Sequence, residues 1–152
     1  MELWNVRNLA QEDLNSRFKN ENETLLDAFT LINKCIQRLF GVGEKENDRF
    51  TLVCCHTLIK ARRYALGCYS LCIDGLAQEA GALFRPFIET WEQLIFYHQE
   101  LKRMELALEN RLPQAGEIAK KIGSELKGLR DYLNKNASHF SFEPDTLQSM
   151  TM

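Results

Sequence analysis

Apolar positions recur in alternating steps of four and three from Leu76 through Ala80, Leu83, Phe87, Thr90, Leu94, Tyr97, Leu101 and Met104 to Leu108. That rhythm is the seam of an amphipathic helix, and it predicts one long helix over 76–112. A second row, Ala77, Phe84, Ile88, Trp91, Ile95 and His98, runs beside the seam. A helix apolar on two flanks needs cover on two flanks, so this one is expected at the centre of a bundle, with Trp91 in the core. The remaining stripe is polar: Gln78, Arg85, Glu89, Glu92, Gln99 and Arg103. Pro86 lies inside the pattern and cannot donate to the carbonyl of Ala82. The seam stays in phase across it, which predicts a kink rather than a break.

The flanking segments carry the same period. Leu25, Phe29, Ile32, Ile36 and Leu39 predict a helix over 23–40, with Asn22 as its N-cap and Gly41 as its stop. Phe50, Cys54, Thr57, Ala61, Tyr64, Cys68 and Leu71 predict another over 48–74, capped by Asn47 or Asp48. The short Asp74-Gly75 joint makes the 48–74 and 76–112 helices antiparallel neighbours. After Leu112-Pro113 and Gly116, Ile118, Ile122, Leu126, Leu129 and Leu133 predict a last helix over 117–137, with Gly123-Ser124 as a point of interruption. A weaker pattern over 3–18 reads as a peripheral helix or a partner-binding arm, and Trp4 on it as a docking residue. Residues 139–152 show no period. The fold class is therefore all-α: a single domain over 1–152, an antiparallel four- to five-helix bundle (22–138) around a long, Pro-kinked central helix.

Composition narrows the partners more than the fold. With 152 residues the chain can bury a core without metal or disulfide staples. A net charge of −2 provides no global basic field for nucleic acid. No apolar run reaches membrane-spanning length, and the N-terminus lacks a secretory pattern, so no membrane partner and a cytoplasmic location are expected. The five cysteines, an odd number set in helical patterns, read as reduced structural thiols.

Few side-chain combinations carry chemistry. A di-iron bundle needs Glu-x-x-His, and none of His56, His98 and His139 has a Glu three positions before it. Gly41-Val-Gly43 lacks the strand, third glycine and lysine of a phosphate loop. Ser124-x-x-Lys127 lacks the other elements of a serine acylase and reads as a helix cap. Cys55 and His56 are adjacent on a helix and so do not face each other. No metal site and no cofactor are expected. Lys60, Arg62 and Arg63 beside Tyr64 and Tyr69 read as a solvated helix face, or as a local contact for single-stranded nucleic acid. Arg85 and Glu89 form an i, i+4 pair with Glu92 one turn on. His139 follows the last predicted helix, where it complements the dipole or acts as a general acid or base.

Two segments carry a family resemblance: Ala80-Gly-Ala-Leu83-Phe-Arg85-Pro-Phe-Ile-Glu89 on the long helix, and Tyr132-Leu-Asn-Lys-Asn-Ala-Ser138-His139 at the end of the last one. Over roughly residues 50–142 the chain resembles a group of bacterial all-helical domains that are similar to the HEPN class of helical bundles. The resemblance implies a homodimeric bundle in a bacterial stress or defence setting, with an antitoxin-type protein or RNA as partner. Many members are metal-independent ribonucleases with an Arg followed a few residues on by a His. By that resemblance Arg130 would hold the phosphate and His139 would move the proton. Arg85, Glu89, Glu92 and Tyr132 would surround them as binding residues. Eight residues separate Arg130 from His139 here, more than the family spacing. The two converge only if the helix ends near Asn136. The first expectation is a non-catalytic interaction or assembly module; the alternative is a ribonuclease.

Overall fold

The computed structural model describes residues 3–46 and 48–136. All regular structure among them is helical: α1 (Leu3–Arg17), α2 (Lys19–Glu46), α3 (Arg49–Ile73), α4 (Ala77–Gln99), α5 (Arg103–Leu108), α6 (Ala115–Ile122) and α7 (Lys127–Asn136). No helix among these residues is long and apolar enough to cross a membrane.

The helix starts and stops follow local chemistry. Asp48 has extended backbone and caps α3: its carboxylate accepts the Phe50 N–H at 3.0 Å and the Thr51 hydroxyl. The Thr51 hydrogen bond holds that carboxyl below its usual value, as a cap favouring the charged form should. Gly123, at φ +65°, ends α6 in the left-handed conformation. Its N–H reaches Lys120 O and the Ser124 N–H reaches Ala119 O at 2.9 Å, a Schellman closure. The predicted 117–137 helix is therefore two helices, divided at the glycine.

Three predicted boundaries move. α2 runs through Gly41 to Glu46 instead of stopping. Gly43 lies against Leu52, where a Cβ would come within 2.9 Å of Leu52 Cδ2. Gly43 serves there as a close contact between helices. Asn22 is not a cap. It is buried inside α2, donates to Asn15 Oδ1 at 2.6 Å and accepts from the Tyr69 hydroxyl at 3.4 Å, which joins α1, α2 and α3. The 76–112 helix ends at Gln99, and Glu100 turns extended at φ −156°. Arg103 holds the end: it donates to Phe96 O at 3.2 Å and Gln99 Oε1 at 3.1 Å, and pairs with Glu100 at 3.0 Å. Its guanidinium stands 4.4 Å from the Phe96 ring centroid. A cation at a helix C-terminus satisfies the last carbonyls and complements the dipole.

The seam of the central helix is buried as expected, at Ala80, Thr90 and Tyr97, but packing also covers its polar stripe and leaves part of the second row open. Phe96, in neither predicted row, is 1% exposed, and Glu92 of the polar stripe is 1% exposed, whereas Trp91 is 48% exposed. The cause lies in α6 and α7, which pack on the stripe that looked like the solvent face. The main core forms there and at the α5 return, from Phe96, Tyr97, Met104 and Ile118, with Val53, Leu112 and Ile122 against them.

The helices form a layer. α3 packs along α4 on one side and α2 on the other, and α2 makes no substantial contact with α4. α1 rests on α2 and α3, tied by Arg7 to Asp74 at 3.0 Å and to Ser70 at 3.0 Å. α3 floors and α2 and α4 wall an open apolar groove of about 580 Å³, bounded by Leu14, Leu25, Tyr69, Phe84 and Phe87. Phe84 and Phe87 stack there, with centroids 5.6 Å apart.

The covering of the polar stripe of α4, with Trp91 left outside the core, is testable by mutation. In dilute protein, Phe96→Ala is expected to cost about 3–5 kcal/mol of unfolding free energy. Trp91→Ala is expected to cost under about 1 kcal/mol, as for a surface residue. Urea titrations of both variants check this; equal losses would put Trp91 back in the core.

Candidate functional site

The covered stripe of α4 carries a distinctive polar arrangement. Arg85, Glu89 and Glu92 lie within about 60° of one another around the helix. Arg85 Nε pairs with Glu89 Oε1 at 3.1 Å on the partly open part of that face. One turn on, Glu92 is enclosed. Its Oε1 accepts from the Ser124 hydroxyl, and its Oε2 faces Arg130 Nη1 at 3.4 Å. The Ser124 hydroxyl also accepts the Leu126 N–H at 3.2 Å, at the turn that leads into α7. One serine thus caps a turn and holds a carboxylate of another helix.

Burial decides what this cluster can do. The Arg130 side chain is 15% exposed and that of Glu92 1%. Glu92 Oε2, Arg130 Nε and Asn134 Oδ1 are enclosed and have no hydrogen-bond partner among the described residues. Asn134 stands one turn after Arg130 on α7, so the two share a face. A buried carboxyl group needs hydrogen-bonding and charge partners, and Ser124 and Arg130 stand in those places around Glu92. The Arg130 guanidinium faces that carboxylate from within the fold.

The other sequence-predicted positions separate. Arg85 and Glu89 stay together at the open end of the same face. Tyr132 is 61% exposed, roughly 200° round α7 from Arg130, and so lies away from Glu92. His139 lies outside the described residues, and α7 is described to Asn136. Of the predicted site, then, the structure brings Glu92 and Arg130 into contact and keeps Arg85 with Glu89.

The remaining candidates resolve into structural roles. Cys55 is enclosed and its thiol points at Ile36 O at 3.6 Å; Cys54 Sγ lies 3.3 Å from Met104 Sδ, and Cys68 donates to Ala80 O at 3.3 Å. Burial pushes all three thiols up, away from the reactive thiolate. Cys35 and Cys72 are exposed, contrary to the expectation of five structural thiols. Lys60 stands 5.9 Å over Tyr64, and the Tyr69 hydroxyl is turned to Asn22. Both tyrosines that flank the basic cluster are therefore engaged within the chain. No group of three metal-ligating side chains occurs among the described residues.

Sequence reasoning missed two residues. Arg103 was assigned to a continuous polar stripe, and the signal for its capping role is its position a few residues beyond the last seam residue of α4. Ser124 was read as a cap, but nothing local announces its bond to Glu92. No protein-family model, curated protein or solved structure matches the chain.

Removing one member of the buried pair gives a sharp expectation. Arg130→Met leaves Glu92 enclosed without its cation and is expected to lose about 3–5 kcal/mol in denaturant unfolding. A loss within about 0.5 kcal/mol would mean that Arg130 is not holding Glu92.

Proposed function

We propose that this protein is a non-catalytic helical module that works by association, first with a second copy of itself. The observation that supports this reading is the commitment of Arg130 to an enclosed Glu92. The arginine that the ribonuclease alternative needs for the phosphate is mostly buried and already paired. Electrostatic catalysis requires donors aimed at the position where charge develops, and a guanidinium spent on a neighbouring helix does not meet that requirement.

The open layer supports the association half. A four- to five-helix closure around α4, with a bend at Pro86, belongs to the same proposal, with helices of the second copy covering what this chain leaves open. The resemblance to HEPN-like domains adds a bacterial stress or defence setting and an antitoxin-type protein as a further partner.

The test is cleavage of mixed single-stranded RNA by purified protein in EDTA, with His139→Ala in parallel. The expected result is no cleavage above background by either protein. EDTA-resistant cleavage that disappears in His139→Ala would overturn the proposal and establish the ribonuclease alternative.

A further inference from the structure

The helix α1 is held to the layer mainly by polar contacts. Its inward face is Arg7, Ala10 and Leu14, three positions at helical spacing, each only partly buried. Every other side chain from Trp4 to Arg17 is exposed, Trp4 at 71% and Leu9 at 59% among them. So little apolar burial leaves the attachment to hydrogen bonds and charge. Arg7 pairs with Asp74 at 3.0 Å and donates to the Ser70 hydroxyl at 3.0 Å. Asn15 Oδ1 accepts from the buried Asn22 at 2.6 Å. Asp74 is the C-cap of α3, so Arg7 also stands at the negative end of that helix. A single residue, Phe18, joins α1 to α2.

We infer that α1 is a strap, clasped by Arg7 at the end of α3, which opens about Phe18 while α2 to α7 stay folded, and that ionic strength sets how often it opens. Segments with few buried apolar contacts open locally, at a lower free energy than global unfolding. The core supports this separation: Phe96, Tyr97, Met104 and Ile118 and the side chains packed on them include no residue of α1. Losing α1 therefore leaves that core covered. The clasp is open to salt because the Arg7 and Asp74 side chains are each 35% exposed. Ions screen a pair so placed, and its attraction falls as the screening length shortens. Opening also changes the groove. Ala10 and Leu14 line it, so release of α1 removes that edge and takes Asn15 away from Asn22. The strap thus ties the access of an apolar groove to an ion pair on the surface. The inference does not rest on self-association.

Amide hydrogen exchange of the full chain, read peptide by peptide, tests this. Salt is raised from about 0.05 M to about 1 M sodium chloride, which shortens the screening length to about 3 Å. At low salt the amides of α1 are expected to exchange at least about tenfold faster than those of α3, yet more slowly than an unprotected chain. High salt should speed α1 a further two- to fivefold, roughly, and leave α3 and α4 unchanged. Arg7→Met and Asp74→Asn should each bring α1 to the high-salt rate and abolish its response to salt. Arg111→Met removes an exposed pair elsewhere, with Glu109, and should leave α1 as in the wild type. Amides of α1 as slow as those of α3 would overturn the strap, and so would amides with no protection. Exchange of α1 indifferent to salt and unchanged in both clasp variants would overturn the role of Arg7. The salt series on the wild type decides even where a variant fails to fold.

Discussion

The structure depends on one carboxylate that is out of place by every periodicity rule. Glu92 sits in the middle of α4, enclosed, with Ser124 and Arg130 around it. Charge leaves water at a cost of several kcal/mol, and that cost is met only when a cation and hydrogen bonds surround it. Placing Glu92 inward turns Phe96 inward with it, because the two lie one turn apart. Trp91, about 100° round the helix from Glu92, is left on the surface. The seating of α6 and α7 on this face of α4 goes with the partners of that one side chain.

The cluster also accounts for the split of the last predicted helix. A continuous helix over 117–137 would leave Ser124 and Arg130 fixed by helical phase alone. Gly123 instead ends α6 in a left-handed turn, and Ser124 then bonds both Glu92 and the start of α7. The break lets a short hydroxyl and a long guanidinium approach one carboxylate from successive segments. A buried ion pair of this kind contributes little net stability against an apolar substitute. What it specifies is which face of α4 these helices cover.

The all-helical class, the antiparallel pairing of α3 and α4 and the Asp48 cap were legible in the sequence because each is a local signal: period, joint length, or an acid before an apolar run. The burial of the seam of α4 was legible too, but which second flank is covered was not. Periodicity sorts residues by polarity and cannot register that Glu92 has partners more than thirty positions later. Gly41, expected as a stop, instead lies inside α2, which runs on to Gly43 and its close contact with Leu52. Of the residues that the family resemblance pointed to, Glu92 and Arg130 meet. Their burial is a property of packing that spacing alone does not carry.

Arg130 is the cation set against the enclosed Glu92 carboxyl group, and the seating of α7 depends on that contact. A double-mutant cycle in denaturant, combining Glu92→Gln with Arg130→Met, tests it most directly. The account predicts a coupling energy of about 1–3 kcal/mol, with the double variant more stable than Arg130→Met alone. Losses that simply add would contradict it, leave the two side chains energetically independent, and return Arg130 to the pool of residues available for chemistry.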